Sequence, residues 1–143
     1  MNPGIRAPRW RALLETRWQA RLQEVTELSL AYHGAAAAAP AEPPGPADPP
    51  SRDGGPGPLE IQRRLRHELL CRELLCRAIV ARRKLADVEE ALGRLAAGTF
   101  GSCEQCRSQI ADGLLAVTPE RRYCPRCEAG GDPAPALPGR ARA

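Results

Sequence analysis

The sequence predicts a mainly α chain: an antiparallel, coiled-coil-like helical hairpin followed by a small module built on four cysteines, with a disordered Pro/Ala-rich loop in the hairpin and a disordered C-terminal tail. Three observations carry that prediction. Apolar residues recur at helical spacing over two long stretches, a block crowded with proline, alanine and glycine separates them, and two Cys-x-x-Cys pairs follow the second stretch.

Composition sets the limits. The 143 residues suffice for one domain of average size, but only five are aromatic and 24 are alanine, so a single large core is not expected. No stretch approaches the ~18 consecutive apolar residues of a membrane span. No apolar run of the kind a secretory leader needs precedes Trp10. The expectation is a cytoplasmic protein without membrane contact. The net charge of +4 comes from 20 arginines and one lysine, Lys84, set against 17 acids and spread over blocks of which none is strongly basic. With abundant Ala, Gly and Pro, that ratio fits the codon usage of a GC-rich genome better than selection for phosphate contacts, and no direct sequence-specific nucleic-acid binding is expected.

Residues 1–33 are assigned to the first helix. From residue 8 onward Trp18, Val25 and Tyr32 recur every seven residues, with Leu14, Leu22 and Leu28 three or four residues away on the same face. Pro8 suits a first turn and Gly34 a stop. Residues 34–58 contain eight prolines, seven alanines and five glycines, which forbid regular ladders and bury little, so they read as a flexible loop. In residues 59–97 the positions Cys71, Leu74, Ala78, Ala81, Leu85, Val88, Leu92 and Leu95 alternate spacings of three and four, an a/d seam of nearly four heptads. Folding this second helix back on the first covers both stripes at once. A parallel homodimer of the long helix is the structural rival.

Cys71 and Cys76 lie inside the second helix, five residues apart and hence on different faces, and read as small hydrophobes. His33 and His67 each stand alone and are weak ligand candidates.

Residues 98–127 carry the chemistry. Cys103 and Cys106 are separated from Cys124 and Cys127 by seventeen residues, the spacing of a tetrahedral zinc site. Two thiolates at i, i+3 converge from one tight turn, and the intervening loop brings a second turn round to the other side. Two disulfides or two redox pairs are the alternatives; disulfide scaffolds belong to short secreted chains, and neither pair sits in a βαβ pattern. The expected cofactor is therefore one structural Zn²⁺ bound by Cys103, Cys106, Cys124 and Cys127. Four sulfurs close the shell and leave no position for water or substrate, and no catalytic constellation accompanies them, so no enzymatic activity is expected. Gly98 is placed to end the long helix in a left-handed turn. Phe100, Ile110, Leu114, Leu115, Val117 and Tyr123 form a core too small to fold unaided, so metal binding, worth about 10 to 16 kcal/mol at neutral pH, should decide whether the module is ordered. Residues 128–143, with Pro133, Pro135 and Pro138, read as a disordered tail.

The run Ala91-Leu92-Gly93-Arg94-Leu95-Ala96-Ala97-Gly98-Thr99-Phe100-Gly101-Ser102-Cys103-Glu104-Gln105-Cys106, followed by Ile110, Leu115, Pro119 and Cys124-Pro125-Arg126-Cys127, resembles the DksA/TraR family of four-cysteine zinc-finger proteins. The two helices before it match that family in architecture alone. The resemblance implies a cytoplasmic transcription regulator whose hairpin enters the secondary channel of bacterial RNA polymerase, in some members together with the alarmone ppGpp. The family's acidic tip reads D-x-x-D-x-A, whereas this loop offers Asp48-Pro49-Pro50-Ser51-Arg52-Asp53. Arg107 stands where the family usually has glycine and Leu114 where it often has arginine. Because that first position favours a conformation glycine adopts cheaply, Arg107 is expected to strain the knuckle. Beside RNA polymerase regulation stand two further readings, a zinc-stabilised adaptor for another protein and a thiol redox sensor that ejects its zinc on oxidation.

Overall fold

The computed structural model describes residues 3–40 and 57–130, with side chains from residue 7. Four helices follow in order: α1 (Pro3–Ala37), α2 (Pro58–Ala96), α3 (Asp112–Val117) and α4 (Pro125–Glu128). The chain divides into two compact units, one of residues 1–20 with 84–143 and one of residues 21–83, so α1 and α2 contribute to both.

In the 21–83 unit the interface is built from small residues. Leu28 packs against Ala78 and Ala81 of α2, flanked by Val25 and Leu74. Further along α1, the carbonyl of Ala35 is met by His67, which is earlier in α2, so the helices run antiparallel. The His67 Nε2 atom lies 2.7 Å from that oxygen. A carbonyl can only accept, so Nε2 is the donor, and His67 adds a second donor to an oxygen that already accepts from Ala38 N at 3.1 Å.

Helix α1 is longer than the periodicity predicts. It begins at Pro3 rather than Pro8, and Pro8 lies inside it. Pro3 needs no donor at the helix start and has its φ preset, while Pro8 leaves one carbonyl of the preceding turn without its usual N–H. Nor does Gly34 stop the helix, which runs on to Ala37. Ala35, Ala36 and Ala37 are the best helix formers available, and together they outweigh the single glycine before them. Residues 34–37 of the expected loop are therefore helical; its residues 41–56, with Asp48 and Asp53, and residues 131–143 of the expected tail lie outside the described residues. Leu22, placed on the buried stripe by its spacing, is exposed.

In the other unit, Leu14 of α1 is fully buried against Val88 and Ala91 of α2, with Trp18, Leu92 and Leu95 around them. Trp18 keeps its indole N–H satisfied by donating to Glu89 Oε1 at 3.1 Å. The α2 terminus is a full Schellman motif: Thr99 N donates to Arg94 O (2.9 Å), Gly98 N donates to Leu95 O (3.2 Å), and Gly98 takes φ +75°. The left-handed stop expected at Gly98 is thus present. It turns the chain directly into the cysteine module.

Candidate metal centre

The first knuckle is a tight reversal. Ser102 and Gln109 form an antiparallel bridge, Cys103 N donates to Ser108 O (2.8 Å), and Arg107 N donates back to Cys103 O (2.9 Å). That ring of bonds holds the Cys103 and Cys106 side chains toward one point. Two residues carry the backbone cost. Gly101 sits at φ +82°, where a Cβ would lie 3.4 Å from Leu115 Cδ1, and Arg107 sits at φ +62°. The strain expected at Arg107 is therefore present, since a side chain in the left-handed region crowds the following carbonyl.

The second knuckle is a single helical turn. Cys124 precedes α4 in extended conformation, Pro125 opens the helix, and Glu128 N donates to Cys124 O at 2.9 Å. One turn puts Cys124 and Cys127 on the same side. Glu104 N donates to Arg122 O (3.0 Å), which ties the two knuckles together.

The result is convergence of four sulfurs. All four Sγ atoms of Cys103, Cys106, Cys124 and Cys127 lie within 4.8 Å of one another, and those of Cys106 and Cys124 are 3.7 Å apart. Zinc–sulfur bonds of about 2.3 Å in a tetrahedron place sulfurs about 3.8 Å apart, so the spacing suits a metal, whereas a disulfide needs about 2.05 Å. Cys103, Cys124 and Cys127 are buried and Cys106 is half-buried, next to the Ser108 hydroxyl at 2.9 Å.

The electrostatics fit a cation as well. Burial pushes the Cys103 thiol up, but backbone N–H groups of Cys106, Cys124 and Gln105 outweigh it and bring it down to about 6. Among these, Cys124 N lies 3.3 Å from Cys103 Sγ. The Cys124 thiol is lowered by the backbone N–H of Cys127 against the opposing effect of burial. Burial and the neighbouring sulfurs push Cys127 up to about 12. The site thus stabilises negative sulfur until too many such sulfurs crowd together, and a divalent cation at the centre removes that conflict.

The module is anchored through contacts that sequence reasoning missed. Trp10 of α1, only 4% exposed, joins Ile110, Leu115, Cys103, Cys124 and Cys127 in one cluster, with Leu13, Leu95 and Phe100 around it. The Trp10 and Phe100 rings are 5.7 Å apart at 47°. Arg17 donates to Glu120 Oε1 (3.2 Å) and to Val117 O (2.7 Å); Arg94 donates to Glu104 Oε1 (3.0 Å) and to Glu120 O (2.9 Å). Arg122 pairs with Glu90. Trp10 lies four residues before Leu14 and eight before Trp18, a continuation of the same helical stripe that pointed to it. Val117 and Tyr123, counted in the module core by their chemistry, are instead exposed, and buried Pro119 takes a place there. The four-sulfur cluster does not include Cys71, Cys76, His33 or His67.

No family model matches the chain, and no solved structure does. Over 43 residues it is 37% identical to a protein of Aquifex aeolicus (strain VF5) described as an uncharacterized protein. The match spans 30% of this chain and 30% of that protein, well under two thirds of the relative's length. No helix among the described residues is long and apolar enough to cross a membrane.

Proposed function

We propose that Cys103, Cys106, Cys124 and Cys127 hold one structural zinc ion, and that the chain is a DksA/TraR-like regulator of transcription, not an enzyme, acting in the cytoplasm by direct contact with bacterial RNA polymerase. The convergence of the four sulfurs within 4.8 Å of one another, directly after a helical hairpin, carries the reading. Four thiolates satisfy a tetrahedral ion without leaving a vacancy, so the ion's role is to fix the module. The match of residues 91–127 to the DksA/TraR pattern supplies the partner, with ppGpp as a co-ligand to be tested beside it.

Two measurements test the two halves separately. Elemental analysis of freshly purified protein should give one zinc per chain, lost in a Cys103→Ser, Cys106→Ser variant. Purified RNA polymerase should bind the zinc-loaded chain and lose it when Asp48 and Asp53 are both changed to Asn, with and without ppGpp. The acidic pair sits at a different separation from the family's, which favours one second reading, a zinc-stabilised adaptor for another protein. Polymerase binding that survives deletion of residues 41–56, or no polymerase binding by a zinc-loaded chain, selects the adaptor.

A further inference from the structure

Helix α2 carries two apolar faces. Within the 21–83 unit Leu74, Ala78 and Ala81 face α1. About half a turn round the helix, Ile61, Leu65, Leu69, Cys76 and Val80 form a second stripe at spacings of four, four, seven and four, and every one of them is exposed. Leu65 and Leu69 are 55% and 65% exposed. A helix that served only one neighbour would carry polar residues here, and a stripe of exposed apolar residues of this kind, interrupted at Arg72 between Leu69 and Cys76, marks an interaction surface.

The charges beside the stripe identify its occupant. The segment Glu68-Leu69-Leu70-Cys71-Arg72 is followed at once by its near-repeat Glu73-Leu74-Leu75-Cys76-Arg77. If a second copy is laid end for end about the midpoint between Arg72 and Glu73, each charge of the repeat meets its opposite. Arg72 faces Glu73, and Glu68 faces Arg77. In the same register Leu69 meets Cys76 and Leu65 meets Val80, so the stripe from Leu65 to Val80 covers itself, while Ile61 falls opposite Lys84. Centring the pair on Arg72 or on Glu73 instead sets like charge on like, and so does parallel, in-register pairing at all four charged positions.

We propose that the outer face of α2 is a homodimer interface, in which α2 of one chain packs antiparallel on α2 of a second copy about a two-fold axis between Arg72 and Glu73. The contact is isologous, so each charged pair occurs twice and the interface closes without leaving a sticky remainder. It needs neither the metal nor polymerase to form.

The test uses the full-length, metal-loaded chain. Sedimentation velocity over a concentration series should show a monomer–dimer equilibrium. Leu69→Glu, at an exposed helical position that Glu suits, should yield monomer. Glu73→Arg should weaken the dimer about tenfold by setting Arg on Arg, and Arg72→Glu combined with Glu73→Arg should restore it, which helix destabilisation alone would not do. For the register, a Cys71→Ser, Leu69→Cys chain is oxidised with diamide, which takes up the two thiol hydrogens as the disulfide forms, and the products are mapped by peptide analysis. A link between position 69 and Cys76 of the other copy supports the arrangement. A monomer at every concentration overturns it and leaves the stripe to another occupant. A dimer that tolerates Leu69→Glu, a charge swap that fails to restore association, or a Cys76–Cys76 link also overturns it.

Discussion

The unit that holds the cysteines and the unit of residues 21–83 draw on the same two helices but bury them by different means. In the first, large side chains meet: Trp10 and Leu14 from α1, Val88 from α2, and Ile110 and Leu115 from the module. Three arginines, Arg17, Arg94 and Arg122, add directed bonds to the module or from it. In the second, Leu28 closes on Ala78 and Ala81, which bury little area apiece. Two alanines make a narrow seam, and Leu65, Leu69 and Leu70 are left in solvent. The contrast teaches that a hairpin with an alanine seam does not specify its own core; one part is completed by the cysteine module, and the other presents apolar surface.

Metal removal should give the largest separation between the two. Binding at a four-cysteine site contributes about 10 kcal/mol or more, comparable to the whole stability of a domain. Chelation, or Cys103→Ser, should remove most of the hydrogen-exchange protection in residues 98–128 and most of the native Trp10 fluorescence, while protection around Leu28 and Ala78 persists. If both units open together, they are one cooperative body and the contrast fails. In the metal-stripped protein the fraction retaining native Trp10 fluorescence should depend on pH in a set direction. Cys103, ordinarily at 9 and lowered to about 6, binds fewer protons folded than unfolded, so that fraction rises from pH 6 to 9. Cys127, raised to about 12, binds more, so the fraction falls again from pH 9 to 12.

Core truncation comes next. Trp10→Ala should cost about 3 to 5 kcal/mol in urea denaturation, and Leu28→Ala about 2 to 3 kcal/mol, because alanine neighbours have fewer atoms to lose contact with. Equal costs would mean that the alanine seam is as well packed as the cysteine unit. Charged contacts should follow the same order. Arg94, with 13% of its side chain exposed, holds Glu104 and the Glu120 carbonyl, and Arg94→Met should cost about 1.5 to 3 kcal/mol by leaving that carbonyl without its donor. Arg21, paired with Glu24 one helical turn away in the 21–83 unit, has water as a ready replacement, and Arg21→Met should cost under about 1 kcal/mol.

Features set by local rules were legible before the structure. The 3.6-residue period located α2 to within a residue at each end, since the unbroken seam from Cys71 to Leu95 and the left-handed stop at Gly98 agreed. The Cys-x-x-Cys spacing named the four converging sulfurs because i, i+3 geometry leaves a tight turn few alternatives. The α1 ends were misplaced because Pro8 and Gly34 are weak stops when good helix formers flank them. Trp10 and the arginines were missed for a different reason. Trp10 and Arg17 find partners about 90 to 105 residues away and Arg94 and Arg122 about 10 to 32 away, all beyond the reach of a helical turn, and the periodicity of a helix says which face is buried but not by what. Val117 and Tyr123 failed in the reverse direction, since apolar chemistry in a 30-residue module does not by itself say which residues face inward.

The smallest effects concern backbone handedness, and in the two units they come from opposite substitutions, glycine in and glycine out. Arg107 at φ +62° pays for a conformation that glycine adopts freely, and its side chain is exposed, so Arg107→Gly loses little packing. It should stabilise the cysteine unit by up to about 1 kcal/mol, with zinc stoichiometry unchanged. Gly34 is the converse case: it lies within α1, its φ is not left-handed, and nothing is within 4 Å of where a Cβ would stand. Gly34→Ala should therefore raise stability by about 0.5 to 1 kcal/mol, through a less flexible unfolded chain and a better helix. Read by denaturant midpoints together with hydrogen exchange, the first gain should appear in residues 98–128 and the second around Leu28 and Ala78. A gain from Gly34→Ala that spreads into the cysteine module would show that the helices transmit stability between the units, and the division drawn from their packing would have to be redrawn as a single cooperative structure.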